Sequence, residues 1–137
     1  MFDLIVRNAT LPNGRAGMDI AVRDGTIEAL DRAIDTAADK EIDAGGNLAT
    51  PPFVDSHFHM DTTLTYGQPR LNESGTLLEG IALWGELKPH ITVENIKARA
   101  MQFCRWAIAQ GTLSIRSHVD VSDDRLLAVN ALLEVRE

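Results

Sequence analysis

The sequence predicts an α/β chain in two unequal parts, and three observations carry that prediction. Short β-type runs separated by turn residues fill residues 1–50. The double proline Pro51-Pro52 then marks a boundary. Beyond it the apolar period switches between two and 3.6, in the order strand, helix, helix, strand, helix. A β-strand followed by helices and another strand implies parallel strands joined by right-handed crossovers.

In the first part, Leu4, Ile5 and Val6 form an opening strand closed by Pro12-Asn13-Gly14. Asp19–Arg23 and Thr26–Leu30 flank Asp24-Gly25, the strongest short hairpin signal. Glu41-Ile42-Asp43 is a further short strand before Gly45-Gly46. These strands carry few large apolar side chains, so a sheet made from them needs partners to bury its face. The expectation is a small β-sandwich module over residues 1–50, structural in role because no polar cluster converges in it.

In the second part, Phe53–His59 reads as a strand, followed by a polar, turn-rich stretch from Thr62 to Ser74. Thr76-Leu77-Leu78-Glu79 has the form of a capping box and opens a helix through about Leu87, with Leu77, Ile81 and Trp84 on one stripe. Pro89 ends it. Thr92 suits the N-cap of the next helix, where Val93, Ile96, Ala100, Phe103 and Ala107 recur at spacings of three and four, and Gly111 supplies the stop. Trp84, Trp106 and Cys104 fall among these helical residues and are expected in the core. Thr112–Val121 alternates as a strand, with Ser114, Arg116, His118 and Asp120 on one face. Ser122 is expected to cap a last helix from about Asp123, with Asp123 and Asp124 favourable at its N-terminus.

This order matches the first two βα units of a (β/α)8, TIM-like barrel, over residues 51–137. It places His57 and His59 at the C-terminal end of one strand and His118 with Asp120 at the same end of the next, the rim that carries barrel active sites. A barrel needs roughly 250 residues and eight strands, so the barrel is expected to be incomplete in this chain and the chain to be the N-terminal portion of something longer.

Composition narrows the function. With 45% apolar and 24% charged residues the chain is ordinary for a soluble globular protein, and its net charge of −7 argues against binding a nucleic-acid backbone. Cys104 is the single cysteine, so no intrachain disulfide can form and a reducing compartment fits. The N-terminus is too short and charged for a signal peptide, and no run approaches a membrane span. A cytoplasmic location is expected.

The chemistry centres on His57-Phe58-His59. Alternate residues of a strand project to one side, so two imidazoles about 6–7 Å apart can lean onto one cation. Asp61 can support that site if the strand continues, and His118 with Asp120 are candidate pocket or supporting residues. Arg116 is expected to pair with a carboxylate, and His90, after Pro89, to be exposed.

These residues resemble the amidohydrolase superfamily and, within it, its cytosine deaminase-like branch. The likeness rests on Glu41–Leu48 leading through Pro51-Pro52-Phe53 into His57-Phe58-His59-Met60-Asp61, on Asp61-Thr62-Thr63, and on Gly67-Gln68-Pro69. Ser74-Gly75-Thr76-Leu77 with Glu79-Gly80-Ile81, and Ser117–Asp123, extend it. It implies a mononuclear hydrolase of small nitrogen heterocycles using one divalent ion, Fe2+ or Zn2+, and forming a homo-oligomer when intact. His57 and His59 match metal ligands. The carbonyl of Leu77 matches a substrate contact. Read from the residues themselves, Asp61 supports the site or is a solvated turn residue, and His118 supports it or is a hydrogen-bonded histidine of the barrel interior. The reaction implied converts an amino-substituted pyrimidine or related ring to its oxo form and ammonia, with cleavage of another C–N bond, as on an aminotriazine, the alternative. The remaining ligands and the proton shuttle are expected beyond Glu137, so the 137-residue chain alone is expected to be inactive.

Overall fold

The computed structural model describes all residues, Met1–Glu137, as two compact units, Met1–Pro51 and Pro52–Glu137. The first unit contains β1 (Phe2–Ala9), β2 (Met18–Arg23), β3 (Thr26–Asp31) and β4 (Ala38–Asp43), in the spatial order β3-β2-β1-β4. β1 pairs antiparallel with β2, Leu4 opposite Val22, and parallel with β4, Val6 opposite Ile42. The β2–β3 hairpin turns on Asp24 and Gly25, both at positive φ (51° and 72°), the pairing a tight hairpin turn requires.

The module is therefore one mixed sheet rather than the expected sandwich. Its buried apolar residues include Ile5, Ala9, Met18 and Ala21. Polar side chains reinforce the sheet. Arg7 forks from β1 to Asp19 (2.8 Å) and Glu41 (2.9 Å), and donates to the carbonyl of Ile34 (2.7 Å).

The second unit runs β5 (Phe53–Phe58), α1 (Leu77–Leu87), a 3-10 turn (Lys88–His90), α2 (Val93–Ala109), β6 (Thr112–Ser117) and α3 (Leu127–Arg136). β5 and β6 pair in parallel, as the strand–helix–strand order predicts. Thr92 caps α2 by accepting the Asn95 N–H (3.2 Å), and Gly111 at φ +83° turns the backbone into β6. The core gathers Ile91, Ile96, Ala128 and Ala131, with Trp84, Leu87 and Leu132 packed against it. Phe58 of β5 stacks on Phe103 of α2, ring centres 4.1 Å apart, which fixes that helix beneath the strand.

Several boundaries differ from the sequence pattern, each for a local reason. β6 ends at Ser117 instead of Val121, because aspartate carboxylates take the next backbone donors: Asp61 accepts the N–H of Asp120 and Asp120 that of Ser122, both at 2.8 Å. The last helix begins at Leu127 without a Ser122 cap. Asp123 instead accepts the Arg125 N–H and guanidinium (3.1 and 2.8 Å), closing a turn that enters the helix through Leu126 at φ +50°. Leu77 and Ile81 are 79% and 59% exposed, and of that stripe Trp84 alone packs on the core, while Leu83 is buried. Trp106 is 53% exposed, not a core residue. Cys104 is half-buried, and burial raises its thiol pKa, as suits a packing residue rather than a nucleophile.

Candidate metal and substrate site

Three imidazoles meet at the C-terminal ends of the two parallel strands. His57 lies near the end of β5 and His59 just past it, with ring centres 5.5 Å apart. His118, one residue beyond β6, donates its backbone N–H to the Phe58 carbonyl (2.7 Å) and stacks on His57 at 3.8 Å. His57 and His59 are exposed and open to a ligand. His118 is half-buried, and its Nδ1 is buried without a hydrogen-bond partner. Burial first, then the neighbouring His57, Arg116 and His59, holds the His118 pKa below its ordinary value. Stacked rings aim their in-plane lone pairs alongside one another, and no group of three or more His, Cys, Asp or Glu converges with metal-binding geometry. The strands supply two convergent imidazoles and a third beside them.

Asp61 lies beyond the strand, in the turn after it, and is wholly buried. Its Oδ1 sits 3.7 Å from His59 Nδ1 and accepts the Thr62 N–H (3.1 Å), while Oδ2 accepts the Asp120 N–H (2.8 Å). One carboxylate thus ties the loop after β5 to the loop after β6 and faces the back of an imidazole. Ser117 adds a second tie, its hydroxyl accepting the Met60 N–H (3.3 Å).

A cleft of about 700 Å³ opens in front of His59 and is lined by Tyr66, Leu77, Trp84, Lys88 and Asp120 among others. Trp84 Nε1 donates to Asp120 Oδ2 (2.7 Å) and Lys88 Nζ lies 2.9 Å from the same oxygen. Burial raises the Asp120 pKa, but hydrogen bonds from Ser122, Lys88 and Trp84 outweigh it and hold this carboxyl well below the usual range. It is an anchored anion, already fully engaged.

The approach to α1 is held by Arg70 and Glu79. Thr76 accepts the Glu79 N–H (3.3 Å), but Glu79 reaches past Thr76 to the N–H (2.7 Å) and hydroxyl of Ser74 and to Arg70 (2.7 Å). Half of the expected capping box forms. The other half is displaced by two residues because Ser74 Oγ lies within reach of the Thr76 N–H (3.3 Å). Hydrogen bonds from Ser74, then Arg70, lower the Glu79 pKa from 4.5 to about 2. A depressed carboxylate stabilises the fold above its unfolded pKa, and that contribution fades as pH falls through the folded value. The Leu77 wall of the cleft is therefore expected to loosen between pH 4.5 and about 2. Amide exchange at residues 74–80 against pH checks this, and Glu79→Gln should flatten the response.

The structure thus brings His57, His59, Asp61 and His118 together and puts Leu77 on the lining of the same cleft as His59. Arg116, expected to pair with a carboxylate inside the barrel, is exposed and has no ion-pair partner within this chain. His90 is exposed as expected. Sequence reasoning passed over Lys88 and Arg99. Lys88 carried no signal beside Pro89. Arg99 carried one: it lies three residues after Ile96, a charge on the apolar stripe of α2.

A family model described as the amidohydrolase family matches residues 40–135. The chain belongs to the amidohydrolase family. It is 38% identical to N-isopropylammelide isopropyl amidohydrolase of Pseudomonas sp. (strain ADP), over 99% of this chain and 35% of that protein. Among solved structures it is similar to 5-methylcytosine deaminase from Klebsiella pneumoniae liganded with phosphonocytosine, with 42% identity and a TM-score of 0.86 over 96% of this chain and 33% of that one. It also resembles N-isopropylammelide isopropylaminohydrolase from Burkholderia multivorans ATCC 17616, with 27% identity and a TM-score of 0.79, over 99% of this chain and 34% of that one. The chain spans about a third of the length of these relatives. No helix is long and apolar enough to cross a membrane.

The family is metal-dependent, and the donors present fit such an ion: two exposed imidazoles at a strand end, a buried carboxylate behind one of them, and an unpartnered His118 nitrogen alongside. Imidazole suits zinc and ferrous iron alike.

Proposed function

We propose that this chain is the opening segment of a (β/α)8 amidohydrolase that deaminates an amino-substituted pyrimidine or related nitrogen heterocycle. The observation that carries the reading is the placement of His59, one of two adjacent strand-end imidazoles, and Leu77 on one cleft of about 700 Å³. The barrel reading is supported by the parallel β5–β6 pair, whose Val54 and Leu113 remain 68% and 60% exposed. Parallel sheets are found with both faces covered.

His57 and His59 would hold one divalent ion, Fe2+ or Zn2+. Bound there, the ion supplies a water acidified toward a pKa of about 7. Asp61, 3.7 Å from His59 Nδ1, would favour a proton on that nitrogen and so help orient the ring toward an ion. We assign the Leu77 carbonyl, at the first residue of α1 and on the cleft lining, the acceptor role for a ring N–H that the family resemblance implies, and Trp84, pinned by Asp120, walls the cleft. Addition of water to the amidine carbon and loss of ammonia leave a carbonyl, and a group must carry the proton to the departing nitrogen. Asp61 and Asp120 are poorly suited to that, because Asp61 is wholly buried and tied to two backbone N–H groups, and Asp120 is held by Trp84, Lys88 and the Ser122 N–H. Two imidazoles also fall short of the three protein ligands usual at a catalytic zinc. We therefore place the shuttle and the completing ligands in the part of the relatives that this chain does not span.

The second reading, hydrolysis of the bond between a triazine ring and its alkylamino substituent, is supported by the 38% identity to the N-isopropylammelide enzyme. Assaying the full-length gene product on cytosine, 5-methylcytosine, isocytosine and N-isopropylammelide separates the two. Ammonia from a pyrimidine is the expected result. Isopropylamine from the triazine with no ammonia from any pyrimidine would select the second reading, and no product from any substrate would overturn both.

A further inference from the structure

Arg99 is a buried cation with no ion-pair partner, 9% exposed in the second turn of α2. A guanidinium removed from water without a carboxylate against it is an unusual choice for a helix face that Ile96 and Ala100 otherwise keep apolar. Its hydrogen bonds show what it does there. Nε donates to Asn95 Oδ1 one turn back on the same helix (3.0 Å), which sets the plane of the fork. Nη2 donates to the backbone carbonyl of Asp61 (3.0 Å), and Nη1 to that of Thr63. Two carbonyls, two residues apart, are thus gripped by one rigid planar group. The Asp61 carboxylate also acts on Arg99 through space, opposing the fall in pKa that burial imposes.

The gripped segment begins two residues after His59. Its Asp61 carboxylate reaches forward to His59 Nδ1 at 3.7 Å and sideways to the Asp120 N–H. We propose that Arg99 is a positioning residue for the metal site: by holding the Asp61 and Thr63 carbonyls from α2, it fixes the loop that sets the His59 imidazole against Asp61. Arg99 touches neither substrate nor ligand ring; it acts through Asp61. The fork geometry is the reason arginine fits. A lysine keeps the charge but cannot present two parallel N–H groups to carbonyls at fixed spacing, and a methionine keeps the bulk and neither.

The proposal rests on the His57–His59 metal reading, and the experiment separates failure of one from failure of the other. Zn2+ affinity of the full-length protein is measured by chelator competition for wild type, Arg99→Lys, Arg99→Met and His59→Ala, with thermal melts of each metal-free protein and the visible spectrum of each Co2+ form. Outer partners of metal-bound histidines typically carry about 10–100-fold in affinity. Arg99→Met is expected to lose on the order of 10-fold or more, with shifted Co2+ bands. Arg99→Lys, which retains charge and part of the hydrogen bonding, should recover part of the loss. If Arg99→Met does not fold, Arg99→Lys alone decides, by a weakened affinity and altered bands at near-normal melting temperature. Wild-type affinity and spectrum in whichever folded variants exist, with only the melting temperature lowered, would overturn the proposal. Wild type that binds no better than His59→Ala would instead overturn the metal reading.

Discussion

His57→Ala and His59→Ala are each expected to abolish stoichiometric metal binding while leaving the metal-free fold nearly unchanged. Both imidazoles are exposed, and surface substitutions away from buried networks usually stay within about 0.5 kcal/mol. Their loss should be felt at the cation. Removing an outer partner already costs about 10–100-fold in affinity, so removing a ligand should cost at least about 100-fold. Metal content after dialysis and a titration calorimetry isotherm measure the first effect, and urea unfolding of the metal-free proteins the second. A further signature follows from linkage: wild type should gain about 2.7 kcal/mol of stability at a metal concentration 100 times Kd, and the variants almost none. His118→Ala provides the contrast. That ring stacks on His57 instead of sharing its focus, so the variant should keep most of the metal affinity. Wild-type metal content in both His57→Ala and His59→Ala would rule out the assignment.

Much of this was legible because it depends on spacing along the sequence. The alternation around Ile115 and the three-four spacing of Ile96, Ala100 and Ala107 follow from the geometry of strands and helices, and the structure carries both elements. The Asp24-Gly25 hairpin follows from residues that tolerate positive φ. His57 and His59 sit together because extended backbone carries residues two apart to one side, and the chain stays near that course for one residue past the end of β5. What did not read out was set by side chains meeting across the fold. Ser122 and Asp123 look like a helix start, yet Asp120 takes the Ser122 N–H and Arg125 takes the Asp123 carboxylate, delaying the helix to Leu127. Glu79 bypassed its box partner for Ser74 and Arg70, the latter nine residues back. Asp61 is the sharpest case. Sequence places it on the ligand face if β5 continues; the strand ends at Phe58, and Asp61 reaches the site from beneath, through a turn.

That placement gives Asp61 a second expected effect, on stability. The carboxylate is wholly buried and accepts two backbone donors, the N–H groups of Thr62 and Asp120. Asp61→Ala strands both, and a buried donor left unpaired costs about 1–3 kcal/mol. It also removes the charge that offsets the buried Arg99 guanidinium. The loss for the metal-free protein should be about 2–4 kcal/mol, allowing for partial relaxation of the loop. Asp61→Asn tests whether hydrogen bonding or charge dominates. Its amide retains one acceptor oxygen, but the NH2 group must then face a backbone N–H, donor against donor. A loss of about 1–3 kcal/mol is expected for Asn, smaller than for Ala because one bond survives. Urea unfolding without metal measures both, and the comparison with His59→Ala carries the argument. His59 should matter only when the ion is present, whereas Asp61 should matter before any ion arrives, because it joins the loops after β5 and β6 whether or not the site is filled. An Asp61→Ala protein within about 0.5 kcal/mol of wild type would show that those loops are held by Ser117, Arg99 and the strand pairing alone, and that the carboxylate serves only His59.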